Sequence, residues 1–171
     1  MVVNEDAPNE EEVKSVLKGF KNNKSAGTDK LKTEGLKYNE SNNLVQSIVE
    51  ITTLIWTLVI VPTTWLHASI TCLYKKGARN VGANYRGLSI GANMRRIIAK
   101  IINGRLKEAY EMQISETQFG FRRNRSTSDG IFILRTIVEK YSDLLIAVYI
   151  DLTAAYDHLP RERVQSILQR D

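Results

Sequence analysis

From Ile51 through Lys107 the chain has no aspartate and no glutamate, while nine lysines and arginines fall in the same stretch. Cations without local acids raise the local potential, which suits a polyanion such as nucleic acid or a triphosphate. From charge alone a merely solvated basic face is an equally good reading, and the net charge of +5 is mild. Cysteine is almost absent. The single Cys72 excludes an internal disulfide and a cysteine-based zinc site, and its apolar neighbours predict a buried, inert thiol. Long apolar runs are missing too: Leu44 to Val61 is broken by Gln46, Ser47, Glu50 and several threonines, so no membrane span is expected. The acidic start, MVVNEDAPNEEEV, has neither the basic nor the apolar region of a secretory signal. There is no internal repeat and no low-complexity tract.

What is present reads as α+β, in a chain of 171 residues that can bury one real core. Glu10 to Phe20 predicts an amphipathic helix with Val13, Val16, Leu17 and Phe20 on one side. KNNKSAGTDK, 21–30, is a loop; it is no phosphate-binding P-loop, because that motif needs glycine directly before the lysine. Leu44, Ile48, Ile51, Ile55 and Leu58 recur at helical spacing and predict a mostly buried helix ending before Pro62. HASITCLYK, 67–75, and YRGLSI, 85–90, read as the two strands of a hairpin that brings Lys75 and Arg86 to the same end. Arg95 to Tyr110 predicts a helix with Ile97, Ile98, Ile101, Ile102 and Leu106 inward, and Arg96, Lys100, Asn103 and Lys107 opposite. The arginine-rich loop that follows closes on Ser126 and Asp129, spaced as a capping box. It opens a helix from Ile131 to Tyr141 that should bury Ile131, Leu134, Val138 and Tyr141. Pro160 suits the first turn of a last helix with Val164, Ile167 and Leu168 inward.

Leu144 to Ile150 has little polar content and predicts a strand covered on both faces. Asp151 stands at its exit. A carboxylate there serves either of two ends: a ligand for a hard cation such as Mg²⁺, which prefers carboxylate oxygens, or a cap for the TAAYD segment. Were 152–158 helical, Asp157 would be rotated roughly 240° from Asp151 and could not share its metal.

The ordered blocks LYKKG (73–77), NYRGLSI (84–90), QFGFRRNRST (118–127) and YIDLTAAYD (149–157) resemble the reverse transcriptase domain of non-LTR (LINE-type) retrotransposons. KNNKSAGTD (21–29) resembles that family's more N-terminal block. The resemblance implies an incomplete right-hand polymerase fold: a helical N-terminal extension over 1–65, fingers over 66–142, and the start of the palm over 143–171. It implies DNA synthesis on an RNA template from a DNA primer, with dNTP as substrate and Mg²⁺ as cofactor. Asp151 then matches a catalytic aspartate, with Leu152 as its companion metal ligand through the carbonyl. Tyr156 matches the steric gate against a ribose 2′-hydroxyl, a core tyrosine being the alternative. Lys75 and Arg86 match the cations that hold the triphosphate. Gln118, Gly120, Phe121 and Arg122 match the block lining the template and nucleotide. Arg123 and Arg125 read as phosphate contacts or as solubility alone. An intracellular, nuclear or cytoplasmic location follows from the resemblance.

Three departures stand out. Gly87 sits where many relatives have proline, Lys30 sits where glycine is usual, and Met94-Arg95-Arg96 is unusually basic. A fourth is larger: no Asp-Asp pair occurs anywhere in the 171 residues. The expectation is therefore an N-terminal fragment, inactive alone, whose apolar palm edge makes it poorly soluble or is covered by a partner chain. A non-catalytic nucleic-acid-binding module derived from the fingers is the alternative. A Mg²⁺-dependent nuclease built on Asp151 would need further acids, for which only Asp129, Glu139 and Asp143 offer themselves.

Overall fold

The computed structural model describes residues 3–39, 41–141, 145–152, 155–156 and 158–169. Two compact units divide it, one spanning residues 3–108 and one built from residue 109 onward.

The first unit begins with helix α1, Glu10–Lys18, held by a full capping box: the Asn9 side chain accepts from Glu12 N–H and the Glu12 carboxylate accepts from Asn9 N–H. Each side chain satisfies an amide that the helix start would otherwise orphan. The short helix α2, Thr33–Lys37, follows, then α3, Asn42–Leu58, and the single turn α4, Thr63–Leu66. The strands β1, Ala68–Tyr74, and β2, Tyr85–Gly91, form an antiparallel hairpin in the register Tyr74↔Tyr85 through Ala68↔Gly91. Helix α5, Asn93–Tyr110, leads out of β2. The core is Val13, Leu17 and Phe20 from the α1 region, Leu36 from α2, Val45 and Ile48 from α3, and Ile97 and Ile101 from α5. Each such burial is worth about 1.5–3 kcal/mol before conformational entropy is counted.

Several expectations are corrected here. Only one stripe of α3 is buried, through Val45, Ile48 and Thr52; Ile51, Leu54 and Leu58 are exposed, so the helix is not mostly buried. It stops at Leu58 because Val59 turns left-handed, at φ 54°. Cys72 is exposed rather than a core thiol. The hairpin is a sheet of two strands, and from Ser69 onward β1 is exposed along its length. On α5 the inward stripe is Ile97 and Ile101, whereas Ile102 is exposed.

The position expected least is Arg105, which is buried on α5 at 9% exposure. Its Nε and Nη2 donate to the two oxygens of Glu12, each at 2.7 Å. Its Nη1 donates to the carbonyls of Asn4 at 2.9 Å and Asp6 at 2.6 Å. The guanidinium lies 5.1 Å from the Trp56 ring, and Trp56 in turn donates to the Glu5 carbonyl. One side chain thus ties α5, α1, α3 and the N-terminal segment together. The hydrogen bond from Arg105 holds the Glu12 carboxyl below its ordinary range despite partial burial.

In the second unit, helix α6, Thr127–Tyr141, opens on the capping box read from the sequence, with Ser126 N–H donating to Asp129 at 2.7 Å. Its apolar stripe is not buried, however: Ile131, Leu134, Val138 and Tyr141 are all exposed. An amphipathic stripe buries only against an opposing surface, and the described residues of this unit supply none. For the same reason the strand expected over 144–150 is not found. Residues 145–150 carry no strand, and Ile146 and Ile150 are 89% and 86% exposed. A strand exists only where a ladder partner satisfies its backbone, and no described segment pairs with this one. Leu144 and Asp157 lie outside the described residues. The last helix, α7, Arg161–Leu168, starts after Pro160 as expected; Val164 is half-buried and Ile167 is exposed.

Candidate nucleotide and nucleic-acid site

In the first unit, two candidate residues lie on the hairpin. Lys75 follows β1 directly, and its N–H donates to the Asn84 carbonyl at 2.8 Å, extending the ladder by one step. Arg86 stands opposite Leu73. Residues two apart on a strand share a face, as do residues directly opposite each other in a ladder. Lys75 and Arg86 therefore share one face at one end of the hairpin. Both are exposed, and among the described residues neither is paired with a carboxylate.

The connecting loop is fixed by its own contacts. Tyr74 and Tyr85 meet edge to face at 5.6 Å, the Arg79 guanidinium lies 5.5 Å from the Tyr74 ring, and Tyr85 Oη donates to the Arg79 carbonyl at 2.8 Å. The Asn84 side chain donates to the Ala78 carbonyl at 2.8 Å. Gly77 provides the left-handed turn, at φ 92°. Two cations on so braced a carrier suit one polyanionic group.

The arginine-rich loop is spent differently from what its composition suggests. Arg122 has a side chain only 7% exposed; it pairs with Glu111 at 3.1 Å and Glu116 at 3.8 Å and donates to the Ser115 carbonyl at 2.9 Å. Arg125 pairs with the Glu116 carboxylate. Arg123 is exposed with no carboxylate partner among the described residues, which leaves it the freest cation of the three. Gln118 Nε2 donates to the Gly120 carbonyl at 3.4 Å, and Phe121, left-handed at φ 62°, is 88% exposed.

Asp151, Leu152 and Tyr156 are all exposed, on chain that is neither helix nor strand. Among the described residues no three of the His, Cys, Asp and Glu side chains gather into a group able to hold a metal ion. With no such group around Asp151 among the described residues, the donor set does not fit a complete metal centre.

The loop at 24–30, to which the motifs assigned no role, is a keystone of the first unit. Asp29 Oδ2 accepts from the N–H groups of Asn93 at 2.6 Å and Met94 at 3.3 Å, capping α5 from 64 residues away. Asn93 Nδ2 returns a bond to the Leu31 carbonyl at 2.6 Å. Gly27 lies so close to β2 that a Cβ would sit 2.1 Å from the Gly91 carbonyl oxygen. Lys30 is left-handed at φ 56°, which explains why glycine is at home there. Lys30 as a local turn was within reach of the sequence; the Asp29 cap was not, because its partners are so distant.

The hairpin tip thus carries two cations that have no carboxylate partner among the described residues, in a unit with no acid from Ile51 through Lys107. The chain belongs to the reverse transcriptase (RNA-dependent DNA polymerase) family, whose model matches residues 74–169, more than half of the chain. That span takes in Lys75, Arg86, the 118–125 loop, Asp151 and Tyr156. Family membership implies a nucleic-acid template and primer, nucleotide substrates, and divalent metal in the chemistry. None of the curated proteins compared with the chain matches it. Among the described residues no helix is long and apolar enough to cross a membrane.

Proposed function

We propose that the chain is the fingers and first palm segment of a non-LTR retrotransposon reverse transcriptase, with a helical N-terminal extension over 1–65, fingers over 66–142 and palm from 143. Lys75 and Arg86 hold the triphosphate of the incoming dNTP. Gln118, Gly120 and Phe121 line the nucleotide and template, and Arg123, with Arg125, meets backbone phosphate. Arg122 organises the loop that presents them. Asp151, with the Leu152 carbonyl, is one corner of the Mg²⁺ site, and Tyr156 is the gate against ribonucleotides. The observation that carries this reading is the common face of Lys75 and Arg86 on a braced hairpin inside the family match.

As a polypeptide of these 171 residues it binds primer–template without extending it, since one carboxylate cannot clamp both ions of an in-line transfer. The second reading, a binding module without catalysis, is favoured by Asp151 standing exposed and outside any strand among the described residues. Binding of labelled primer–template, with and without Mg²⁺ and dNTP, separates the two. Tightening by Mg²⁺ and dNTP that is lost in K75Q/R86Q supports the polymerase reading. Salt-sensitive binding indifferent to dNTP supports the module. Extension by this chain alone would overturn the claim of inactivity.

A further inference from the structure

A second cationic site lies at the other end of β2. Lys21, Lys24 and Ser25 from the 21–30 loop, Gly19, Ile90, and Arg96 and Lys100 from α5 line a cleft of about 480 Å³. Its cations come from segments more than 70 residues apart, so no motif announces it. Arg96 and Lys100 stand over the ring of buried Phe20, at 5.1 and 4.8 Å from its centroid. Arg96 also donates to the Asn93 side chain, and Lys100 Nζ to the Gly19 carbonyl at 3.4 Å. The loop lysines sit on fixed chain as well: Thr33 Oγ1 donates to the Lys21 carbonyl at 3.1 Å and Asn22 donates to Tyr38 Oη at 2.7 Å.

Among the described residues none of the four cations is ion-paired with a carboxylate. Asp29, the acid within this loop, is occupied by the N–H groups of Asn93 and Met94, and Glu34 just beyond it by Asn23 N–H and Thr33. Burial first, and then the like charges of Arg96 and Lys21, hold the Lys100 ammonium below its ordinary range. Four cations gathered and held in a cleft without an acid repel one another; an anion between them turns that repulsion into attraction.

We propose that this cleft is a phosphate-binding site separate from the hairpin tip, and that it seats a backbone phosphate of a single nucleic-acid strand. The identity of the strand rests on the function proposed above; the site itself does not. The choice of a strand over a free nucleotide follows from placement. Ile90 and Arg86 are four residues apart on β2 and so share a face, about 13 Å from each other at strand rise. A strand anchored in the cleft lies along the face that presents Lys75 and Arg86.

The test uses the full chain, a fluorescein-labelled single-stranded RNA, and inorganic pyrophosphate. K21Q/K24Q removes two exposed charges without touching the core, and K18Q/K107Q removes two outside the cleft. The expected result is RNA binding about threefold to tenfold weaker in K21Q/K24Q, with the log–log salt slope smaller by roughly 0.7 per lost contact. K18Q/K107Q keeps the wild-type slope. Pyrophosphate, against chloride of equal ionic strength, raises the melting temperature of wild type and not of K21Q/K24Q. If pyrophosphate behaves so while RNA binding is equal in the two proteins, the site takes free phosphates and the strand is overturned. If wild type binds no RNA at all, the nucleic-acid reading of the whole chain fails with it. If K21Q/K24Q matches wild type in both measurements, the cleft is no phosphate site.

Discussion

Replacing Arg105 by alanine should cost the first unit about 3 kcal/mol. Breaking a buried ion pair by removing one partner costs about 3–5 kcal/mol, because the other charge is left without compensation. Here the Glu12 side chain keeps 26% of its exposure, so water recovers part of that loss, and the Asn4 and Asp6 carbonyls are exposed enough to be rehydrated. Against this recovery stand the lost ring contact with Trp56, worth about 0.5–2 kcal/mol, and the gap left by the arginine stem. Urea unfolding followed by Trp fluorescence and circular dichroism reads the change; with a slope of about 1–3 kcal/mol per molar, the midpoint falls by roughly 1–3 M. E12Q should cost a similar amount, since glutamine can still cap Asn9 but leaves the more deeply buried Arg105 charge without its carboxylate. The double mutant should show a coupling of at least about 1 kcal/mol. The pair also sets an acid response. The Glu12 carboxyl titrates below its ordinary 4.5, so its contribution is complete above that pH and is lost as pH falls through the lowered value. The gap between wild type and R105A should therefore narrow on acidification below about 4.5 and stay constant above it. A coupling under about 0.5 kcal/mol, or a gap that widens in acid, would refute the reasoning.

The other perturbations act on the backbone and its caps. Val59 is a β-branched residue in left-handed conformation and 86% exposed, so V59G should stabilise by about 1–2 kcal/mol, seen as a higher melting temperature. G27A should destabilise by about 2–3 kcal/mol in a urea melt, because its methyl meets the Gly91 backbone and neither chain can yield cheaply. D29A should cost about 1–2 kcal/mol through the lost cap of α5, with hydrogen exchange accelerated at Asn93 and Met94 above all.

Local patterns were legible because their causes are local. Spacing of Val13, Leu17 and Phe20 gave α1 and its buried face, and β-branched and aromatic residues either side of a loop gave the hairpin and put Lys75 and Arg86 at the same end. Ser126 and Asp129 gave the start of α6. Burial was legible only where a partner surface exists. The stripes of α6 and of 145–150 are as apolar as core elements, yet they lie open, because burial is a property of two surfaces and the sequence of one does not contain the other. Cys72 stands exposed for that reason also.

The sequence by itself determined the family blocks, the absence of acid through the middle of the chain, the start of α1, the capping box of α6 and the hairpin. Only the tertiary structure decided which cations are free. It turned Arg105 inward to Glu12 and Arg122 to Glu111, left Lys75 and Arg86 open, and set Lys21 and Lys24 beside Arg96 and Lys100. Charge is written in composition; whether it is spent inside or offered to a ligand depends on what stands within a few ångströms, and those neighbours come from distant parts of the chain.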